Sequence, residues 1–279
     1  MRGIAPGLPS GVLSKLTGQR VGKRTGVRGE GMYWQKWSDR LKKELKLDMD
    51  PVAVTFGGAL APGVPAPQVK VSVCQALKRA AEGEPITITA ETCGCPGGLV
   101  SLGLGRLPSE GRERLVHFLV HKEKVYCSRV AIHRSQETVP PPAGIASHVF
   151  FSPLSRAAVL PDIVAFIGKP GSVHHLVSLA GYWEGGSIKP ELSGPACRTG
   201  VAYPVVTGEI GLSLFDFGAR RLAGFSEDHL LVSIPLHRMM GILDALDQGV
   251  GREGVEEDES IERQIEELGK VEQSRDPGI

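Results

Sequence analysis

Cysteine is scarce in this chain, with five in 279 residues. That excludes a disulfide-built secreted scaffold, and the thiols read as free, metal-bound or reactive rather than paired. Aromatic residues are only 5% of the chain, so its core must be mostly aliphatic. A dominant charge is also missing. The net charge of +1 selects no class of partner. No apolar run approaches the roughly 18 residues that a membrane span needs. No apolar h-region follows Arg2, so no signal peptide is expected and the location reads as cytoplasmic and reducing. Several catalytic signatures are absent too. There is no Walker lysine, no G-x-G-x-x-G opening a helix, no G-x-S-x-G, no H-E-x-x-H and no kinase set.

Gly and Pro are plentiful, at 36 and 20, which implies many turns and short elements. The ends are charged in opposite senses. Residues 1–31 hold six Lys/Arg and one Glu, and residues 249–279 hold ten Asp/Glu against four Lys/Arg. Both read as disordered: a basic leader at 1–31 and an acidic tail at 249–279. No aromatic or motif accompanies the basic end, so no nucleic-acid partner is expected. Met32 is a plausible alternative start, because the first folding signal follows it.

The core is expected over 32–248. Trp34, Trp37, Leu41 and Leu45 recur at helical spacing, as in an amphipathic helix. "PVAVTFGG" reads as a buried strand, "VCQALKRAAEG" as a helix and "PITITAET" as a strand running into "CGCPGG". "LPSEGRERLVHFLVHKEKVYC" reads as a helix with Ser109 a candidate N-cap. "HVFFSPL", "PDIVAFIGKPG" and "HLLVSIP" read as strands. "VAYPVVTGEIGLSLFDFGARRLAG" reads as two strands around a turn, and "LHRMMGILDALDQG" as a closing helix between Pro235 and Gly249.

The order strand, helix, glycine turn, strand, Cys-Gly loop occurs twice. The second pass runs through "PDIVAFIGKPG", "SVHHLVSLAGYWEGG" and "SIKPELSGPACRTG". The expected fold is therefore one α+β domain of two related strand-helix-strand halves, about 32–145 and 146–248. Their Cys-Gly loops would meet about a pseudo-twofold axis.

The candidate chemistry lies in those loops. A thiolate binds metal or attacks an electrophile, and backbone N–H groups in glycine turns favour it. Cys93 and Cys95 sit in such a turn, with Gly97 and Gly98 following, and Cys197 lies between Gly194 and Gly200. Cys74 begins a helix, whose positive end also favours a thiolate. Cys74, Cys93, Cys95 and Cys197 could together hold an iron–sulfur cluster or a zinc ion. The spacing Cys-x-Cys does not itself specify metal, and the same cysteines also read as small buried apolar residues. A cysteine nucleophile at Cys93 or Cys95 is a further reading, with Glu91 or Glu209 as a base.

The glycine turn at Gly97 and Gly98, with Arg198, Arg220 and Arg221, forms an alternative site for a small anion. His117 and His121 share a helix face and, with Cys127, admit a zinc site, although their surroundings read as an ordinary amphipathic helix. His174 or His175 could face the loop of Cys197 or simply solvent.

Four stretches carry a family resemblance: "PVAVTF", "ETCGCPGGLVSLGL", "LPDIVAFIGKPG" and "SGPACRTGVAYPVVTGEIGLSL". Over roughly residues 35–248 the chain resembles the uncharacterised bacterial and archaeal family catalogued as domain of unknown function one-six-nine. The resemblance implies a cytosolic protein with cysteines at Cys74, at Cys93 or Cys95, and at Cys197. Many members have a further cysteine before the Gly-x-Arg matched by "FGAR". This chain carries Phe215 and Phe217 there, so a four-cysteine site would have to draw on Cys95 or Cys127.

Overall fold

A computed structural model describes residues 30–251, apart from 59, 61, 67–68, 139–141, 143–145, 184, 186–187 and 191–194, together with 263, 266, 267 and 270. Residues 1–29 and nearly all of the acidic stretch beyond 251 lie outside the described residues, and the expectation of disordered ends falls there.

The fold is a mixed α+β single domain built on one antiparallel sheet. Its strands are β1 (Val52–Gly57), β2 (Ile86–Thr89), β3 (His148–Pro153), β4 (Ile163–Gly168), β5 (Gly211–Ser213) and β6 (Leu230–Pro235). They lie in the order β2-β3-β1-β4-β6-β5, and every neighbouring pair is antiparallel. β3 and β4 are buried along their whole length and β1 along all but its last residue. Central strands covered on both faces need apolar residues throughout, and the runs of β-branched and aromatic side chains supply them.

Alternate side chains feed two cores. Val52, Val54, Phe151, Ile163 and Leu231 face one side of the sheet, and Ala53, Val164, Phe166, Val232 and Ile234 face the other. The first face is covered by helix α2 (Val73–Ala81), helix α3 (Pro96–Ser101), a turn of wide helix at Cys197–Ala202 and, further along, helix α8 (Phe217–Ala223). The second is covered by α1 (Glu30–Glu44), α6 (Pro170–Gly181) and α9 (Leu236–Asp247). α1 follows its amphipathic pattern, with Trp34 and Leu41 buried in the second core and Leu45 just beyond the helix beside them. Arg40 of α1 pairs with Asp247 at the end of α9 at 2.7 Å.

The strand order reads the same outward in both directions from the central β1–β4 pair. α2 packs on the first face and α6 on the second. β3, at the start of the stretch expected as a second half, pairs with β1 and β2.

Other local departures have identifiable causes. "VAYPVVTGEIGLSLFDFGARRLAG" forms helix α7 (Tyr203–Thr207), β5 and α8 rather than two strands. Pro204 sits in the first turn of α7, where a missing N–H does no harm, and Gly208 ends that helix at φ +73°. Asp216 caps α8 by accepting the Ala219 N–H at 2.7 Å, and Gly224 closes it at φ +72°. Capping and tertiary packing override the β-branched run. No strand forms at 188–190 before Cys197, where one was expected. Helix α4 (Ser109–His117) continues as a wider turn over Phe118–Lys122, and Pro108, not Ser109, occupies its N-cap. Helix α5 (Arg129–Thr138) is an element the sequence pattern did not announce.

Candidate thiol site

The site begins with a stitch between two loops. The Val71 N–H donates to the Thr92 carbonyl at 3.1 Å, and the Gly94 N–H donates back to the Val71 carbonyl at 2.8 Å. This short parallel bridge sets the start of α2 beside the Cys93–Cys95 loop. Ser72 then caps α2 in a reciprocal box. Its hydroxyl accepts from the Gln75 N–H at 3.1 Å, and the Gln75 side chain accepts from the Ser72 N–H at 2.9 Å. Cys74 therefore lies in the first turn of α2.

Cys95 caps α3, its Sγ accepting the Gly98 N–H at 3.4 Å. Gly98 is where α3 meets α2. A Cβ on Gly98 would fall 2.6 Å from Val73 Cγ2 and 3.5 Å from Cys93 Sγ. Only glycine permits this approach. α3 in turn packs against the turn that starts at Cys197, and α2 packs against α8, where the Gln75 side chain donates to the Leu222 carbonyl at 3.3 Å.

The electrostatics identify which thiols feel one another's charge. Burial pushes Cys74 well above the usual thiol range, and charge on Cys197, Asp216 and Cys95 pushes it further, although the residue keeps some exposed surface. Cys197 is buried and is pushed up to about 12. Burial is the largest cause, followed by charge on Cys95; a hydrogen bond with Ser101 and the Arg198 guanidinium pull the other way. Cys74, Cys95 and Cys197 thus lie within electrostatic reach of one another and of the Asp216 carboxylate. Glu123 is raised as well, by partial burial and then by Asp216. A Cβ on Gly218 would lie 3.2 Å from Asp216 Oδ1 and 3.7 Å from Glu123 Oε1, so the two carboxylates flank that glycine.

Cys93 plays a different part. It is buried in the first core, its thiol donates to the Cys95 carbonyl at 3.4 Å, and burial raises its pKa. Cys127 is exposed, with its sulfur 3.9 Å from the Ser128 hydroxyl. Among the described residues, no group of three or more His, Cys, Asp or Glu side chains is arranged to hold a metal ion as it stands.

The remaining sequence candidates have other surroundings. Arg198 is buried, and its Nη1 donates to the Ser135 carbonyl at 2.7 Å and the Ser135 hydroxyl at 2.5 Å. It ties α5 to the Cys197 turn. Arg220 clasps the flanks of α8, donating to the Leu214 carbonyl at 2.6 Å and to the Ser226 carbonyl. Gly97 lies near the thiols, its Cβ position 3.7 Å from Cys95 Sγ. The His117 and His121 rings face each other at 4.9 Å on an exposed surface. His174 and His175 ride on α6, on the opposite face of the sheet from Cys197, and His175 Nε2 bonds the Val250 carbonyl at 2.8 Å. Glu209 pairs with Arg238 at 2.8 Å, and Glu91 is exposed and bonded to Thr89.

Sequence reasoning missed Asp216, Ser101 and the conformation at Phe215. Phe215 is buried at φ +58°, a left-handed conformation that bulky residues rarely adopt. Its ring stacks on Phe225 with centroids 3.9 Å apart. "FDFGAR" carried a legible helix start, an Asp three residues before Ala219, but nothing in it announced the neighbouring thiols.

The family model DUF169, described as "Uncharacterised ArCR", matches residues 40–245. The chain belongs to this family. It is also similar to Uncharacterized protein MJ0308 of Methanocaldococcus jannaschii, at 24% identity over 177 residues, covering 62% of this chain and 75% of that protein. No solved structure matches. No helix among the described residues is long and apolar enough to cross a membrane.

Proposed function

We propose that this protein binds a thiolate-ligated metal ion or iron–sulfur cluster at Cys74, Cys95 and Cys197, in a redox or accessory role within a reducing cytoplasm. One observation carries the reading. Three sulfurs remote in sequence lie within electrostatic reach: charge on Cys95 opposes ionisation of both Cys74 and Cys197, and charge on Cys197 opposes that of Cys74. A cation is the species that relieves such repulsion, and its binding releases the thiol protons. Asp216, whose charge raises both Cys74 and Cys197, and Cys93, bonded to the Cys95 carbonyl, are the candidates for further ligands. The side chains are not arranged as ligands as they stand, so loading on this reading rotates the sulfurs toward one another.

The other readings have less support. A nucleophilic cysteine needs its pKa lowered toward neutrality, whereas burial moves Cys74, Cys93 and Cys197 the other way. Anion binding at the glycine turn relies on Arg198 and Arg220, both engaged with backbone carbonyls.

The test is metal and acid-labile sulfide content after anaerobic purification, repeated after reconstitution with iron and sulfide or with zinc. Stoichiometric metal that is lost in Cys74→Ala, Cys95→Ala and Cys197→Ala but kept in Cys127→Ala is the expected result. A chain that takes up no metal under either condition removes the proposal.

A further inference from the structure

A second candidate site lies at the end of α3 opposite its Cys95 cap. α4 and α5 enclose a cavity of about 380 Å³ against the last turn of α3. That volume falls within the range of small-molecule sites. Its walls are apolar: Val100 from α3, Leu107, Leu115 and Val116 from the α4 side, and Ile132 from α5. Ile132 is buried, while the other four are only half-buried. α4 has no buried residue of its own. Its apolar side chains therefore face this space rather than a packed core.

The rim is charged, and the surplus is positive. Arg112, Arg129 and His133 line it, with Glu113 as the sole carboxylate. Arg129 already holds a carboxylate in a two-point grip: its Nη1 donates to Glu113 Oε1 at 2.8 Å and its Nη2 donates to Oε2. This is the fork geometry by which a guanidinium recognises a planar carboxylate. The pair bridges α4 and α5 across the opening. Arg112, the residue before Glu113 on α4, makes a long 3.4 Å contact with Ser109, and its charge adds to that of Arg129 on Glu113. Among the described residues its guanidinium grips no carboxylate directly, which leaves it open to an incoming anion.

The geometry points to a binding site for a small carboxylate with an aliphatic body. The apolar walls take the chain. Arg112 takes the carboxylate, with Arg129 sharing it when Glu113 yields. The site is separate from the thiols and stands or falls independently of them.

Octanoate is a suitable probe and octanol its uncharged control, with binding to the full chain followed by titration calorimetry. Octanoate should saturate one site, and octanol should bind at least about tenfold more weakly, the equivalent of one charge-assisted hydrogen bond. Arg112→Glu should weaken octanoate by a similar factor without touching the walls. Val116→Trp should abolish binding while the circular dichroism spectrum stays that of the parent. Octanoate affinity should be the same with and without added zinc, which separates this site from the metal proposal. Failure of octanoate to saturate, octanol binding as tightly, or undiminished binding in both Arg112→Glu and Val116→Trp would each overturn the assignment.

Discussion

The approach of α3 to α2 rests on a hydrogen atom, and Gly98→Ala tests it. The new methyl would sit 2.6 Å from Val73 Cγ2, well inside the 3.4 Å at which ordinary contact begins. Val73 is 1% exposed and, as a β-branched residue on a helix, has a single comfortable χ1 rotamer. It cannot swing away, so α3 must move. Overpacking of this kind costs about 1–3 kcal/mol. Alanine's helix preference over glycine returns about 1 kcal/mol, which leaves a net loss of about 0–2 kcal/mol. In thermal melts that is a fall of up to about 8 °C for a domain of this size. Val73→Ala alone removes two methyl groups and costs about 1.6 kcal/mol by transfer. In the double variant the clash disappears, so its loss should fall short of the two single losses together by about 1 kcal/mol or more. Displacing α3 also exposes its cap, so Cys95 should react faster with a thiol reagent in Gly98→Ala and return to the parent rate in the double variant. Strict additivity, or a Gly98→Ala protein more stable than the parent, would show that the two helices do not meet as described.

Two further outcomes follow from the thiols and their supports. Folded Cys197 keeps its proton until about pH 12, while the unfolded thiol loses it near 9.0. Between those values the unfolded state binds fewer protons. Stability is therefore fully present below about pH 9 and falls as pH rises, by up to about 1.4 kcal/mol per unit for such a group. Urea midpoints measured at increasing alkaline pH should show this decline, and Cys197→Ala should flatten it; an unchanged slope in that variant would exclude Cys197 as its source. Arg198→Met should remove the donor from Ser135 and destabilise the protein by about 2–3 kcal/mol. Hydrogen exchange should then quicken across 129–138, and parental protection there would refute the tie between α5 and the Cys197 turn.

What could be read in the amino-acid order was local. The apolar runs at β1, β3, β4 and β6 announced buried strands, because a strand covered on both sides must be apolar along its length. α1, α2 and α9 announced themselves through 3.6-residue periodicity. For α9 the boundaries at Pro235 and Gly249 were also visible, since capping chemistry acts within a few residues. Where two local tendencies competed, the reading failed. Val205 and Val206 favour a strand, but Pro204 and Gly208 bracket a helix, and packing beneath the Cys197 turn decided between them.

That these thiols come within reach of one another's charge was decided by the tertiary structure alone. Cys74 and Cys197 are 123 positions apart, and no short-range pattern records that α3 rests on the Cys197 turn. Nor could spacing show that Cys93 turns into the core while Cys95, two residues on, caps a helix beside Cys74. That choice depends on the bridge at Val71 and on the close approach at Gly98. Asp216 joins them only because the chain folds back to pack α8 against α2. Side-chain type and period are short-range properties of the polymer. Which side chains become neighbours is set by how the sheet orders its strands and which face each helix covers.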